Sequence, residues 1–367
     1  MKKRIASLLL AGLLLVSMTA CARESAAQLP AAQETQETQE TQTEVLAQSP
    51  ADAAKAYLDK VDIGYSYNLA QKLEEICSNE TLGYRTAGSE AELATGDLLK
   101  AEMERIGLQN VTKDEFTLDT WTFTRARLRF TDTAGAEHTA ELGGYQTQFV
   151  TDGAESFTVI DGGQGTEADL AGLDVAGKLV LVDIDQRADW WINYPAYEAH
   201  LAGAAAVIAV QNGGYAEVSE DALNAQDVCG PADAPAFSMS RTDAELLKAA
   251  MDENKEAVVT LDADSRVEKD GTSYNIVGTI PGRDPESMVL MSAHYDSYFA
   301  GFQDDNAAIA LMLGIAKGLI DSGYQPEKTL VFCAMAAEEW GVSDTRYDWS
   351  TGAYNQIFRV HPEWVGK

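Results

Sequence analysis

Cations are scarce in this sequence: 27 Lys and Arg stand against 58 Asp and Glu, a formal net charge of −31. That balance argues against nucleic acid as a partner, because a polyanion is repelled. It suits a protein kept soluble outside the cell. Cysteine is also scarce, with four residues in all. Setting Cys21 aside leaves Cys77, Cys229 and Cys333, too few for a disulfide framework, and no disulfide is expected. Cys333 lies in an apolar strand-like run and reads as core packing. Long apolar runs are absent except for Ile5 to Ala20, which is shorter than the ~20 residues a membrane-spanning helix needs.

What is present begins with a targeting segment. Lys2, Lys3 and Arg4 precede the apolar run, and Met18-Thr19-Ala20 places small residues ahead of Cys21. The pattern resembles a bacterial lipoprotein signal, with Cys21 as the lipidated first residue of the mature chain. The resemblance implies export and a lipid tether to the outer face of the cell membrane, without a spanning helix. An ordinary signal peptide cut near Ala20 is the alternative. A Gln-Glu-Thr repeat from Gln33 to Thr41 then marks a linker with too little apolar surface to offset its ordering entropy.

The organisation expected is a signal at residues 1–20, a lipidated cysteine and linker at 21–50, and a folded body interrupted by an insertion. Its first part covers 51–125, the insertion 126–265 and the second part 266–367. In the first part, Tyr67 to Cys77 reads as a short helix. Ser89 with Glu92 makes a capping box for a helix ending at Gly107, with Leu98, Leu99, Met103 and Ile106 as its apolar stripe. The insertion is rich in Gly and Ala. It carries strands at Lys178 to Val182 and Ala205 to Val210, with a short helix from Pro195 to Ala202 between them. Ala176 to Val182, Ala202 to Ile208 and Pro235 to Ser240 resemble the protease-associated (PA) domain; a generic α/β insertion is the alternative. In the second part, strands at Asn275 to Ile280, Met288 to Ala293 and Thr329 to Ala334 flank a helix from Asn306 to Ile320. Strand, helix, strand implies a parallel pair with a crossover.

The residues with chemistry sit on that last unit. His294 and Asp296 follow one buried strand, Asp304 and Asp305 precede the helix, and Glu338 and Glu339 follow the next strand. Ligands bind outside the C-terminal strand ends of open α/β sheets, so these groups converge on one edge. One imidazole with several carboxylates suits zinc. A carboxylate can bridge two ions about 3.5–4 Å apart. Alternation along a strand predicts that Glu338 and Glu339 point in different directions, one to metal and one to the attacking water. An acid two residues from a ligand histidine can orient its ring. Each pair alone is commonplace among solvated loops. Their conjunction, with seven residues between Asp296 and Asp304, is the signal.

Three strings, Ser292 to Ser297, Asp304 to Ala308 and Ala336 to Gly341, resemble the di-zinc aminopeptidase family, which includes glutamate carboxypeptidases and the transferrin receptor. Arg85 to Ser89 resembles the family's Arg-x-x-Gly-Ser element, and several members carry a PA insertion ahead of the first metal histidine. The resemblance implies an α/β fold with a mixed, largely parallel sheet flanked by helices and a β-rich α/β PA-like insertion. It implies two Zn2+ ions and a peptide substrate. His294 and Glu339 would each ligate one ion, Asp304 would bridge them, Asp296 would orient His294, and Glu338 would be the general base. Asp304 is preferred to Asp305 for its spacing to the small residues Ala307 and Ala308; Asp305 can instead cap the helix. The family's remaining ligands, an acid on the next strand and a distant histidine, are expected beyond residue 367, so this chain is expected to hold only part of the site and to be inactive alone. His361 comes too soon, and His138 and His200 read as surface residues. Aminopeptidase is preferred to carboxypeptidase on family frequency. A co-catalytic zinc hydrolase of the aminoacylase and carboxypeptidase group, and a non-catalytic binding protein on the same fold, are the competing readings.

Overall fold

The structure, a computed structural model, describes residues 49–79, 81–185, 187–188, 193–214, 219–223, 233–343 and 345–366. Cys21, the apolar leader, the Gln-Glu-Thr repeat and Cys229 lie outside the described residues. Among the described residues, no helix is long and apolar enough to cross a membrane, and Cys77 and Cys333 are both free thiols.

The chain opens with helices α1 (Pro50–Leu58), α2 (Ile63–Glu74) and α3 (Glu90–Ile106). The Ser89 hydroxyl accepts the N–H of Glu92, and Gly107 closes α3 with a left-handed φ of 98°. A residue without Cβ adopts that conformation at no steric cost. The capping box is only half made, because the Glu92 carboxylate turns inward to the N–H of Gly88. Leu99, Met103 and Ile106 are buried as the apolar stripe requires, and Leu98 packs at its margin.

Two long strands frame the middle of the chain, β1 (Gln109–Thr131) at its start and β9 (Glu256–Ile280) at its end. Between them lie β2 (Glu137–Glu141), β3 (Gly143–Gly144), β4 (Phe149–Val150), β5 (Glu155–Asp161), α4 (Glu167–Leu170), β6 (Leu179–Asp185), α5 (Tyr194–Leu201), β7 (Ala206–Gly213), β8 (Ala236–Met239) and α6 (Arg241–Ala250). The second part holds β10 (Asp284–His294), α7 (Ala307–Asp321), β11 (Lys328–Met335) and α8 (Thr351–Asn355).

The strands form one mixed sheet in the order β10-β11-β9-β5-β6-β7-β8-β3, with β2 on β1 and both β1 and β4 on β9. β10 pairs parallel with β11, with α7 between them in sequence. β5 through β8 pair parallel in turn. The antiparallel share exceeds the sequence-based expectation, because β1 and β9 run against each other from Gln109↔Thr279 to Arg129↔Thr260. Residues 125 and 266, near the expected limits of the insertion, lie almost opposite each other inside that ribbon, beside a register shift. The main apolar core runs through both parts, joining Leu99, Met103 and Phe332 with Leu181, Ile208 and Phe237. A second cluster packs the other face of β6 and β7 on α5.

Candidate metal centre

His294 is the last residue of β10 and pairs with Met335, the last of β11, so both parallel strands end at one level. The polar residues past those ends meet there. His294 Nε2 lies 3.0 Å from Asp304 Oδ1 and 3.7 Å from both Asp305 Oδ2 and Glu338 Oε2. Donor atoms of His294, Asp304 and Glu339 all fall within 4.8 Å of one another. On the far side of the ring, Nδ1 is 3.1 Å from the Asp296 carbonyl oxygen and 3.3 Å from its Oδ1. Asp296 is buried, and its two carboxylate oxygens accept the N–H groups of Glu338 and Glu339, each at 3.0 Å. A single carboxylate therefore touches both the imidazole and the backbone of the Glu-Glu pair.

The expectation from strand alternation needs correction. β11 stops at Met335, and Ala337 takes a left-handed φ of 49°. The period of two has ended before the acids begin. Glu338 and Glu339 instead turn toward the same imidazole, one with Oε2 at 3.7 Å and the other within the donor cluster. Asp304 and Asp305 also separate. Asp304 is solvent-exposed and faces Nε2. Asp305 is largely covered and accepts the backbone N–H of His294, with the Ala308 amide also against it.

The electrostatics follow from crowding. Burial opposes a charged His294, but the hydrogen bonds to Asp296 and Asp304 and the Glu338 charge outweigh it, pushing the imidazole up to about 12. The same contact holds the Asp304 carboxyl below its usual range. Burial raises the Glu338 carboxyl, with the Asp296 charge adding to it and His294 opposing it. An acid held above its usual range but still ionisable is poised to take up a proton. The Ser350 hydroxyl donates to Glu338 Oε1 at 3.3 Å.

Three further buried residues support the site, and sequence patterns gave them no role in it. Arg85, 1% exposed, donates to the carbonyls of Tyr295 and Leu73 and to Asn306 Oδ1, tying the residue after His294 to the start of α7. Burial lowers the Arg85 guanidinium to about 10, while the Asp296 and Glu92 charges work to raise it. Glu92 is fully buried, and burial with the nearby Asp296 charge pushes its carboxyl up to about 8. Asn275 Oδ1 accepts the N–H of Ala336 at 3.0 Å. A charged or amide side chain on an otherwise apolar face was the available signal. The other histidines stay apart: His138 meets Asp132, His200 approaches Asp233, and His361 lies between Asp114 and Glu363.

The donor set fits zinc. A ligand imidazole commonly presents one nitrogen to the ion and gives its other N–H to a carboxylate or carbonyl. His294 has that arrangement, with Nδ1 toward Asp296 and Nε2 toward Asp304. Carboxylate oxygens from Asp304 and Glu339 make with it a mixed nitrogen and oxygen set of the kind zinc takes.

Residues 275–357 match the model of Peptidase family M28, and residues 140–247 match that of the PA domain. The chain is 28% identical over 280 residues to a probable leucine aminopeptidase 2 of Aspergillus fumigatus, covering 76% of this chain and 53% of that protein. It thus spans about half the length of that curated relative. Its fold resembles that of a peptidase M28 precursor from Shewanella amazonensis, with a TM-score of 0.63 at 20% identity over 86% of this chain and 72% of that one. It also resembles BSAP, a zinc aminopeptidase from Bacillus subtilis, with a TM-score of 0.53 at 24% identity over 76% of this chain and 62% of that one.

Proposed function

We propose that this chain, which matches the peptidase family M28 over residues 275–357 behind a PA-domain match over 140–247, supplies the first part of the metal centre of a zinc exopeptidase that removes N-terminal residues from peptides. The observation carrying this reading is the convergence of His294, Asp304 and Glu339 donor atoms within 4.8 Å beside the Glu338 carboxylate. In the proposed assignment His294, Asp304 and Glu339 would hold the zinc. Bound zinc supplies Lewis acidity, polarising the scissile carbonyl and making water a nucleophile near neutral pH. Glu338 Oε2 takes the proton of the attacking water and hands it to the departing amine. Asp296 keeps the His294 ring in one orientation and holds the backbone of both acids. The aminopeptidase preference is supported by the name of the Aspergillus relative.

In a protein that also carries the remaining metal ligands, Glu338→Gln is expected to leave the zinc content unchanged and to lower peptide turnover by about 10²–10⁴-fold, the usual contribution of a positioned base. Turnover at the parent rate would remove Glu338 from that role. Cleavage of N-acetylated peptides as fast as free ones would replace aminopeptidase with another specificity. The proposal extends to export and lipid attachment at Cys21, supported by the basic and apolar segments before it. Labelled fatty acid should enter the parent protein in cells and be lost in Cys21→Ser; equal labelling of both would refute the anchor.

A further inference from the structure

We propose that Glu92, on α3 and outside the metal-ligand set, is a positioning residue that sets the turn aiming Glu338 and Glu339 at the site; this rests on the reading of those two acids as base and ligand. Four successive backbone N–H groups leave the end of β11, and side chains from α3, β9 and the loop after β10 accept all four. Ala336 donates to Asn275 Oδ1 at 3.0 Å. Ala337 donates to Glu92 Oε1 at 2.9 Å. Glu338 and Glu339 donate to the two oxygens of Asp296, each at 3.0 Å.

The Ala337 link in that chain carries the strain. Ala337 has a φ of 49° and no exposed surface. An alanine there pays a steric cost that glycine would not, so something must hold it. Its N–H is gripped by a carboxyl group that is itself fully buried. The second oxygen of Glu92 accepts the Ser273 hydroxyl at 2.6 Å and the Gly88 N–H at 2.6 Å. Ser273 lies on β9 and Gly88 lies in the turn that immediately precedes the cap of α3. A buried carboxylate is costly unless its oxygens are satisfied. Glu92 meets that condition only by joining α3 and β9 to the turn after β11. Without the left-handed residue the chain would continue as strand, and successive side chains would again face opposite ways. Glu92 therefore acts on the acids through the backbone, and does not itself touch substrate or metal.

The test uses the 367-residue chain. Glu92→Leu fills a similar volume with no acceptor. Glu92→Gln keeps one acceptor oxygen for two N–H groups, those of Ala337 and Gly88. Amide hydrogen exchange of the metal-free chain is read at residues 336–339, with thermal unfolding followed in parallel. Exchange at Ala337 to Glu339 is expected to quicken at least about tenfold in Glu92→Leu, beyond any change in the core strand β9. Glu92→Gln should lose protection at one of Gly88 and Ala337 and keep it at the other. Cobalt(II) added alone then reports ligand geometry through its visible absorption, which should weaken or shift in Glu92→Leu and be largely restored in Glu92→Gln. If Glu92→Leu does not fold, Glu92→Gln decides. Parent-like exchange at both Gly88 and Ala337, or a change no larger there than in β9, overturns the role of Glu92. Cobalt absorption by the parent chain that is unchanged in His294→Ala would instead overturn the metal-site reading, and the metal-free exchange result would stand apart from it.

Discussion

At the scale of single residues, His294 couples metal binding to protons. Burial disfavours its charge, yet hydrogen bonds to Asp296 and Asp304 hold the ring protonated up to about 12 in the metal-free chain. Every ion taken at Nε2 must displace that proton, so acid weakens binding and alkali strengthens it. Asp304 is held below its usual range, so it is already ionised and adds no slope near neutrality. Apparent zinc affinity should rise about tenfold per pH unit between about pH 6 and 8, measured by competition with a chromophoric chelator. A flat profile would mean that the ion does not displace a proton from His294. His294 was legible in the sequence because it ends a strand beside an acid two residues on. Arg85 was legible only as part of a string, since its partners Leu73, Tyr295 and Asn306 come from three separate stretches.

At the scale of elements, the turn after β11 is clamped from both sides. Behind it stand Glu92, Asn275 and Asp296. In front, Ser350 donates its N–H to the Glu338 carbonyl at 2.6 Å, and α8 brings Gly352 against the backbone. A Cβ on Gly352 would sit 1.9 Å from the Ala336 carbonyl oxygen and 2.9 Å from Asn275 Oδ1. Those atoms belong to the clamp and have no free direction in which to yield. Gly352→Ala is therefore expected to cost about 1–3 kcal/mol in urea unfolding, toward the upper end, and to weaken zinc binding as the turn is pushed aside. Unchanged stability and affinity would show that α8 is not part of the clamp. Apolar period and caps made α3, α7, β10 and β11 readable, with ends displaced by a residue or a few, whereas β9 starts at Glu256, far ahead of the expected Asn275. They did not reveal the left-handed Ala337, because nothing local favours that conformation for alanine.

At the scale of the whole described body, one sheet and one main core serve both the segment that matches the M28 model and the segment that matches the PA model. The β1/β9 ribbon passes from one to the other, and β9 alone pairs with β1, β4, β5 and β11. Leu99 and Met103 of α3 share a continuous apolar cluster with Leu181, Ile208 and Phe237 of the insertion. Parts that share a core should melt together. Tryptophan fluorescence and far-ultraviolet circular dichroism are expected to give coincident urea transitions. Two well-separated transitions would mean that the insertion is an independent folding unit.

The sequence by itself determined which elements would carry the chemistry. Strand, helix and strand periods placed His294, Asp296, Asp304, Glu338 and Glu339 at corresponding ends, and side-chain chemistry suggested zinc. Hydrophobic period and turn residues are local quantities, and those placements need little more. The tertiary structure alone decided that Glu338 and Glu339 face the same imidazole, that Asp304 is the acid facing Nε2, and that Glu92 reaches Ala337 from 245 residues away. Such contacts arise when buried polar groups must find partners, and which partner is near depends on how the sheet closes over the core.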